Sequence, residues 1–260
     1  MAGADAITTA LGSLSLGKPV GPPEFLLLDT VAACAEALGE LIELGEPVAV
    51  DYEGVDLCRD GVLCLVQVAP RHGAVLLIDI EALGDAAFGD GRLRELLESQ
   101  DIIKICFDCR ADSDALYHLH HTTPAKLWDV QVAYCSKLDQ QSHRGRDKYL
   151  KGLGKAIQDC PGLTASEQSR LQALKVAGLR LFVPEKGGSY EVWKARPMNP
   201  ILLAYAAADV RYLHDMRDAW GSFMTRDMYS ITIGRVQKAI HGEYAAEGRH
   251  MGLKDFPTCR

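Results

Sequence analysis

Asp51 and Glu53 stand two residues apart in the run Val48-Ala49-Val50-Asp51-Tyr52-Glu53. Side chains alternate between the faces of a strand, so both carboxylates project from one face and Val50 and Tyr52 from the other. Adjacent carboxylates repel at neutral pH and lose hydration, and such a pair within a sheet calls for a cation or a shared proton. The segment alone admits a second reading, in which the strand ends at Val50 and both acids lie in a solvated loop. A third acid, Asp209, falls in a stripe at helical spacing formed by Leu202, Tyr205, Ala206, Leu213, Met216 and Trp220, one turn beyond Tyr205. A carboxylate in a core-facing stripe has to be paired, hydrogen-bonded or bound to metal. Arg211 and Arg217 are the partners nearest in sequence.

The run Lys104 to Asp114 brings Asp108, Asp112 and Asp114 to a strand-to-helix turn. Asp108 suits a helix N-cap. Asp112 lies one turn further on the same helical face, and Asp114 is expected to point elsewhere, into solvent. Asp51, Glu53, Asp209 and one acid of this third group make an oxygen-rich donor set, the kind preferred by hard divalent ions such as Mg²⁺ and Mn²⁺. Two such ions about 4 Å apart stabilise the attacking and leaving oxygens of an in-line phosphoryl displacement. The chemistry indicated is phosphodiester hydrolysis.

The elements that must position these acids follow from pattern. Phe25–Leu28 reads as a short strand, and Thr30 as the N-cap of an Ala- and Leu-rich helix running to Leu44, with Gly45 at its end. Segments 47–54, 61–68 and 74–79 are rich in β-formers and separated by Arg-Asp-Gly and Arg-His-Gly turns, which predicts three antiparallel neighbours. A helix over 93–98, a strand over 102–107, a helix over 110–120, a short strand at 126–128 and an Asp129-capped helix follow. From Tyr149 onward the pattern is helical, broken at Pro161-Gly162, 183–189, Pro197 and Pro200. The fold class is therefore α/β, a mixed sheet flanked by helices with a helical C-terminal part.

Composition sets the class. With 48% apolar and 24% charged residues the chain is globular, neither disordered nor fibrous. No run of apolar residues is long enough to span a bilayer, and residues 1–23 lack the basic start and apolar block of a secretory signal. The expectation is an intracellular protein, cytoplasmic or nuclear, with no membrane partner. The eight cysteines are read as reduced, mostly buried thiols; Cys106-x-x-Cys109 has no second ligand pair at zinc spacing. The net charge of −7 conceals a basic interval: between Lys137 and Arg196 twelve Lys and Arg face six Asp and Glu. A local basic surface is what phosphate binding needs, although a solvated charged face has the same composition. No Gly-rich turn opens a helix after the first strand, which argues against a dinucleotide-binding protein.

The ordered series Asp51-x-Glu53, Asp112 and Tyr205-x-x-x-Asp209 resembles the DEDDy 3′-to-5′ exonucleases, particularly the RNase D-like group. The blocks Val48 to Leu57, Leu65 to Val68, Trp193 to Pro197 and Tyr205 to Val210 are similar to that family's usual segments. Lys104 to Leu116 and Tyr149 to Leu153 further resemble the branch of exonuclease 3′-5′ domain-containing and Egalitarian-like proteins. The resemblance covers about Leu27 to Trp220. It implies an RNase H-like sheet and an exonuclease domain over 24–222, between a tail at 1–23 and a helical extension and tail at 223–260. It further implies that Asp51, Glu53 and Asp209 hold one ion, that Asp51 and Asp112 support a second, and that Tyr205 orients or helps deprotonate the attacking water. Asp108 competes with Asp112 for the second-motif position; Asp112 is favoured because its helical face leads on to Leu116 and Leu119.

Arg110, Arg144, Arg146, Lys148 and Lys151 are the expected nucleic-acid contacts, with His72, Phe107 and Tyr52 as candidate wedges for the terminal nucleotide. The implied partner is single-stranded nucleic acid, RNA before DNA. About forty residues follow Trp220, too few for the pair of helical accessory domains of bacterial RNase D-like proteins, so grip on the substrate is expected from the catalytic domain or a partner. The competing reading is a catalytically weak or inactive binding or adaptor module on the same fold. All five acid and tyrosine positions are filled, which favours the enzyme.

Overall fold

The computed structural model describes residues 24–142, 148–242, 245 and 248–256. Six strands form one mixed sheet, β1 (Phe25–Leu28), β2 (Val48–Val55), β3 (Val62–Pro70), β4 (Val75–Asp79), β5 (Lys104–Cys106) and β6 (Leu127–Asp129), in the order β1-β4-β3-β2-β5-β6. The β2-β3-β4 meander is antiparallel, as its short turns require, while β1 on β4, β5 on β2 and β6 on β5 are parallel. The strand expected over 102–107 is reduced to three residues, because its pairing with β2 involves only Lys104 and Ile105 against Val48 and Ala49.

Helix α1 (Val31–Leu44) begins at Thr30, whose Oγ accepts from Ala33 N, and ends at Gly45 in the left-handed region. The short α2 (Ile80–Leu83), α3 (Leu93–Glu98) and α4 (Arg110–His120) follow. Asp129 caps α5 (Val130–Gln141) by accepting from Gln131 N. The second half is helical as expected: α6 (Leu153–Gln158), α7 (Ala165–Phe182), α8 (Pro200–Arg211), α9 (Leu213–Trp220) and α10 (Arg226–His241). A reciprocal capping box at Thr164 and Glu167 starts α7. Asn199 caps α8, with Pro200 in its first turn, where the missing N–H costs nothing.

Two apolar layers enclose the sheet. Val48, Val50 and Tyr52 of β2 point into one, with Cys34, Leu38, Leu93, Leu96 and Leu116. Ala49 points into the other, with Leu65, Leu77, Tyr205, Ala206 and Val210. Strand alternation thus sends Asp51 and Glu53 toward α8. No helix among the described residues is long and apolar enough to cross a membrane.

The C-terminal segment and Asp114 depart from expectation. The resemblance implies a tail at the end of the 223–260 extension, yet the described part at 248–256 is docked: Leu253 bridges Tyr149, Lys254 pairs with Asp139, and Phe256 is buried. Asp114, expected in solvent, is fully buried and accepts from Arg59 N at 2.7 Å and Arg59 Nε at 2.9 Å. Residues 1–23 lie outside the described residues.

Candidate active site

Strand β2 runs through both acids to Val55, so the solvated-loop reading of Asp51 and Glu53 does not hold. The strand leaves β5 after Ala49, so the two carboxylates lie beyond the carboxyl end of a parallel pair, where α/β sheets open a crevice. The β2-β3 register shifts between Glu53 and Gly54. A Cβ on Gly54 would lie 1.9 Å from Val62 O, so only glycine fits this bulge. Helix α8 crosses the same face and lowers Asp209 toward the pair. Carboxylate oxygens of Asp51, Glu53 and Asp209 all lie within 4.8 Å of one another.

The electrostatics of the cluster follow from its burial. Asp51 is pushed up to about 7, first by desolvation and then by the charge of Asp209. Glu53 rises well above the usual carboxylate range through desolvation and then Asp51. Asp209 is raised by burial, against the pull of Lys175 and a hydrogen bond from the Tyr205 hydroxyl. Its partner is therefore neither Arg211 nor Arg217: Lys175 Nζ of α7 donates to the two oxygens at 3.0 and 3.2 Å. Fully ionised, the three carboxylates carry more charge than this one ammonium can offset. An all-oxygen donor set of this kind fits Mg²⁺ or Mn²⁺.

Tyr205 is buried, one turn before Asp209, with its ring held by Phe182 at 5.3 Å and Trp193 at 6.5 Å between centroids. Burial, then Asp209, Glu53 and Asp51, hold its hydroxyl far above the ordinary tyrosine value. The hydroxyl therefore keeps its proton and donates to Asp209. Trp193 belongs to the Trp193-to-Pro197 block, in which Arg196 clasps Asp79 at the end of β4 and so fixes the loop leading into α8.

Asp112 stands apart from the tight cluster, on α4, lining a hollow with Tyr52, Cys106 and Leu116. It is raised well above the usual range by desolvation and then by Asp51. Asp108 has a different environment. It accepts from Arg110 Nε and Nη2 at 2.7 Å each and from Arg235 at 3.1 Å, in the left-handed backbone region. Nor does Asp108 cap α4, which has no side-chain cap; Asp129 instead holds the turn before it, accepting from Asp108 N and Cys109 N.

The expected nucleic-acid contacts are less uniform. Arg110 is buried, its guanidinium committed to Asp108 and Met251 O, so it is no part of an exposed phosphate wall. Arg144 and Arg146 lie outside the described residues; Lys148 is exposed and Lys151 half-buried. Among the wedge candidates His72 is exposed, while Tyr52 and Phe107 are buried. Two residues of the site, Lys175 and Gly178, carried no signal that periodicity or motif could find, and Gln67 falls in the Leu65-to-Val68 block with no role legible there. Lys175 sits on α7, where only Gly178 and Phe182 are buried. Gly178 packs on Tyr205. Gln67 stands opposite Asp51 in the register, fully buried, and neither atom of its carboxamide has a partner among the described residues.

The profile of the 3′-5′ exonuclease family matches residues 28–221, which takes in Asp51, Glu53, Asp112, Tyr205 and Asp209. This chain belongs to the 3′-5′ exonuclease family. The exonuclease domain is of the DEDD type, as the ordered acids imply. The chain is 32% identical over 192 residues to the human piRNA biogenesis protein EXD1, covering 72% of this chain and 34% of that protein. It is 28% identical over 208 residues to ribonuclease D of Acidiphilium cryptum, covering 79% of this chain and 44% of that one. It thus spans about a third of the human relative's length and less than half of the bacterial one's. The fold is that of Trypanosoma brucei RNase D solved with RNA U12, with a TM-score of 0.67 at 23% identity over 90% of this chain and 75% of the other. Escherichia coli RNase D gives a TM-score of 0.60 at 19% identity over 86% and 52%. The exonuclease domain accordingly has the expected RNase H-like α/β architecture.

Proposed function

We propose that this chain is a metal-dependent 3′-to-5′ exonuclease of the DEDDy subtype, hydrolysing phosphodiester bonds at the 3′ end of single-stranded nucleic acid, RNA before DNA. The convergence of Asp51, Glu53 and Asp209 within 4.8 Å carries this reading, because three such carboxylates repel at neutral pH and Lys175 offsets only one of them. In this reading Asp51, Glu53 and Asp209 hold one Mg²⁺ or Mn²⁺, and Asp112 supports a second alongside Asp51. The two ions, when bound, supply positive charge to the attacking and leaving oxygens and ease deprotonation of water.

The remaining work belongs to the chain's own groups. Tyr205 keeps its proton and donates to Asp209, so it orients the carboxylate and, through it, the attacking water. Phe182 and Trp193 prevent the ring from turning away. Lys148 and Lys151, between the second and third motifs, provide charge for the phosphate backbone, together with Arg144 and Arg146. The preference for RNA draws on the trypanosomal neighbour, solved in complex with RNA U12.

The test is direct. With Mn²⁺, 5′-labelled single-stranded RNA should shorten to a ladder from its 3′ end, and a matching DNA strand more slowly. Chelator, Asp51→Asn or Asp209→Asn should abolish shortening while the protein stays folded. Tight binding of the strand with no shortening would overturn the enzyme and leave the binding module.

A further inference from the structure

One cation already stands inside the acid cluster. Lys175 Nζ contacts both oxygens of Asp209, lies 4.7 Å from the centre of the Tyr205 ring, and is close enough to Asp51 and Glu53 to pull both toward ionisation. Helices α7 and α8 make this reach possible. They touch at Gly178 and Tyr205, so one turn back along α7 and one turn forward along α8 Lys175 meets Asp209. The side chain is partly exposed and lines a shallow cleft with Gln158, Gln172, Ala208 and Asp209, so the ammonium has an open side.

A divalent ion on Asp209 needs the same oxygen lone pairs that the ammonium occupies. Two cations on one carboxylate repel, and the interaction is strong where water is scarce. We propose that Lys175 is the resident cation of the metal-free site, holding the three acids together and competing with the divalent ion, so that metal loading requires its release into the cleft. Lys175 is then a positioning residue that sets the metal concentration at which the site fills. The inference rests on the reading of Asp51, Glu53 and Asp209 as metal ligands. An ordinary structural ion pair would behave differently: its loss would weaken the fold and leave the metal affinity where it was, or lower it.

The experiment is a calorimetric titration of Mn²⁺ into the chelator-treated full chain, in wild type, Lys175→Met, Lys175→Gln and Lys175→Arg. Gln keeps a donor to Asp209 without the charge, so it serves if Met does not fold. Removing the charge should tighten Mn²⁺ binding about tenfold, within the usual span of coupling between two sites. The same neutral variants should melt at a lower temperature in chelator and gain more from Mn²⁺ than wild type does, whereas Arg should stay near wild type in both. Unchanged or weaker binding by the neutral variants, with wild type binding normally, overturns the inference and leaves the metal site standing. No binding by any of the four proteins overturns both.

Discussion

Gly178 faces the ring of Tyr205 so closely that a Cβ on the glycine would stand 2.4 Å from Cδ2 and 2.9 Å from Cγ. The ring has little room to move, since Phe182 and Trp193 also pack against it. An added methyl group must displace the ring or push α7 away, and either shift moves the Tyr205 hydroxyl or Lys175 relative to Asp209. Overpacking of this kind costs about 1–3 kcal/mol, and a misplacement of about 1 Å costs about a hundredfold in rate. Gly178→Ala should therefore slow single-turnover cleavage by roughly ten- to a hundredfold, approaching the rate of Tyr205→Phe, while lowering the denaturant midpoint only modestly. A wild-type rate in the alanine variant would show that the ring's position does not matter.

The pH dependence of stability follows from the raised acids. Asp51 rises from 3.8 to about 7 on folding, and Glu53, Asp112 and Asp209 rise with it. A carboxyl raised in the folded state contributes stability that is full below its unfolded value and lost as the pH passes its folded value. The metal-free protein should thus lose stability from about pH 4 to beyond pH 7 through these four groups. Divalent ions displace the protons, so their binding strengthens with pH. The gain in melting temperature from Mg²⁺ or Mn²⁺ should be larger at pH 8 than at pH 5.5. An equal gain at both would mean that these carboxyls do not take up the ion.

Arg235 of α10 is almost fully buried among Asp129, Asp108, Asp255 and Gln131. Asp129 also accepts from Asp108 N and Cys109 N in the turn that leads into α4, the helix that bears Asp112, so the site's outlying acid is tied to a residue of the C-terminal extension. Removing one member of a buried ionic group costs about 3–5 kcal/mol, because the others remain buried and uncompensated. Arg235→Met should lower unfolding stability by about that amount, and trypsin should reach the 248–256 segment sooner. A loss below about 1 kcal/mol would show that water already reaches the cluster.

The short-range part of this structure was legible in the chain. Alternation placed Asp51 and Glu53 on one face, and the helical repeat placed Tyr205 one turn before Asp209; both hold because neighbouring residues are tied by backbone geometry. Caps at Thr30 and Asp129 were readable for the same reason. The end of β5 was less so, because a three-residue strand exists only by virtue of its neighbours.

By itself, then, the sequence determined which acids exist, their order and the face each takes on its own element. The tertiary structure decided their company. It put Lys175 on Asp209 where Arg211 and Arg217 were the nearer choices, buried Arg110 on Asp108, and docked the segment 248–256 as a brace. Local geometry repeats every two or 3.6 residues and leaves a pattern, whereas a contact between distant segments depends on how whole elements pack and leaves none.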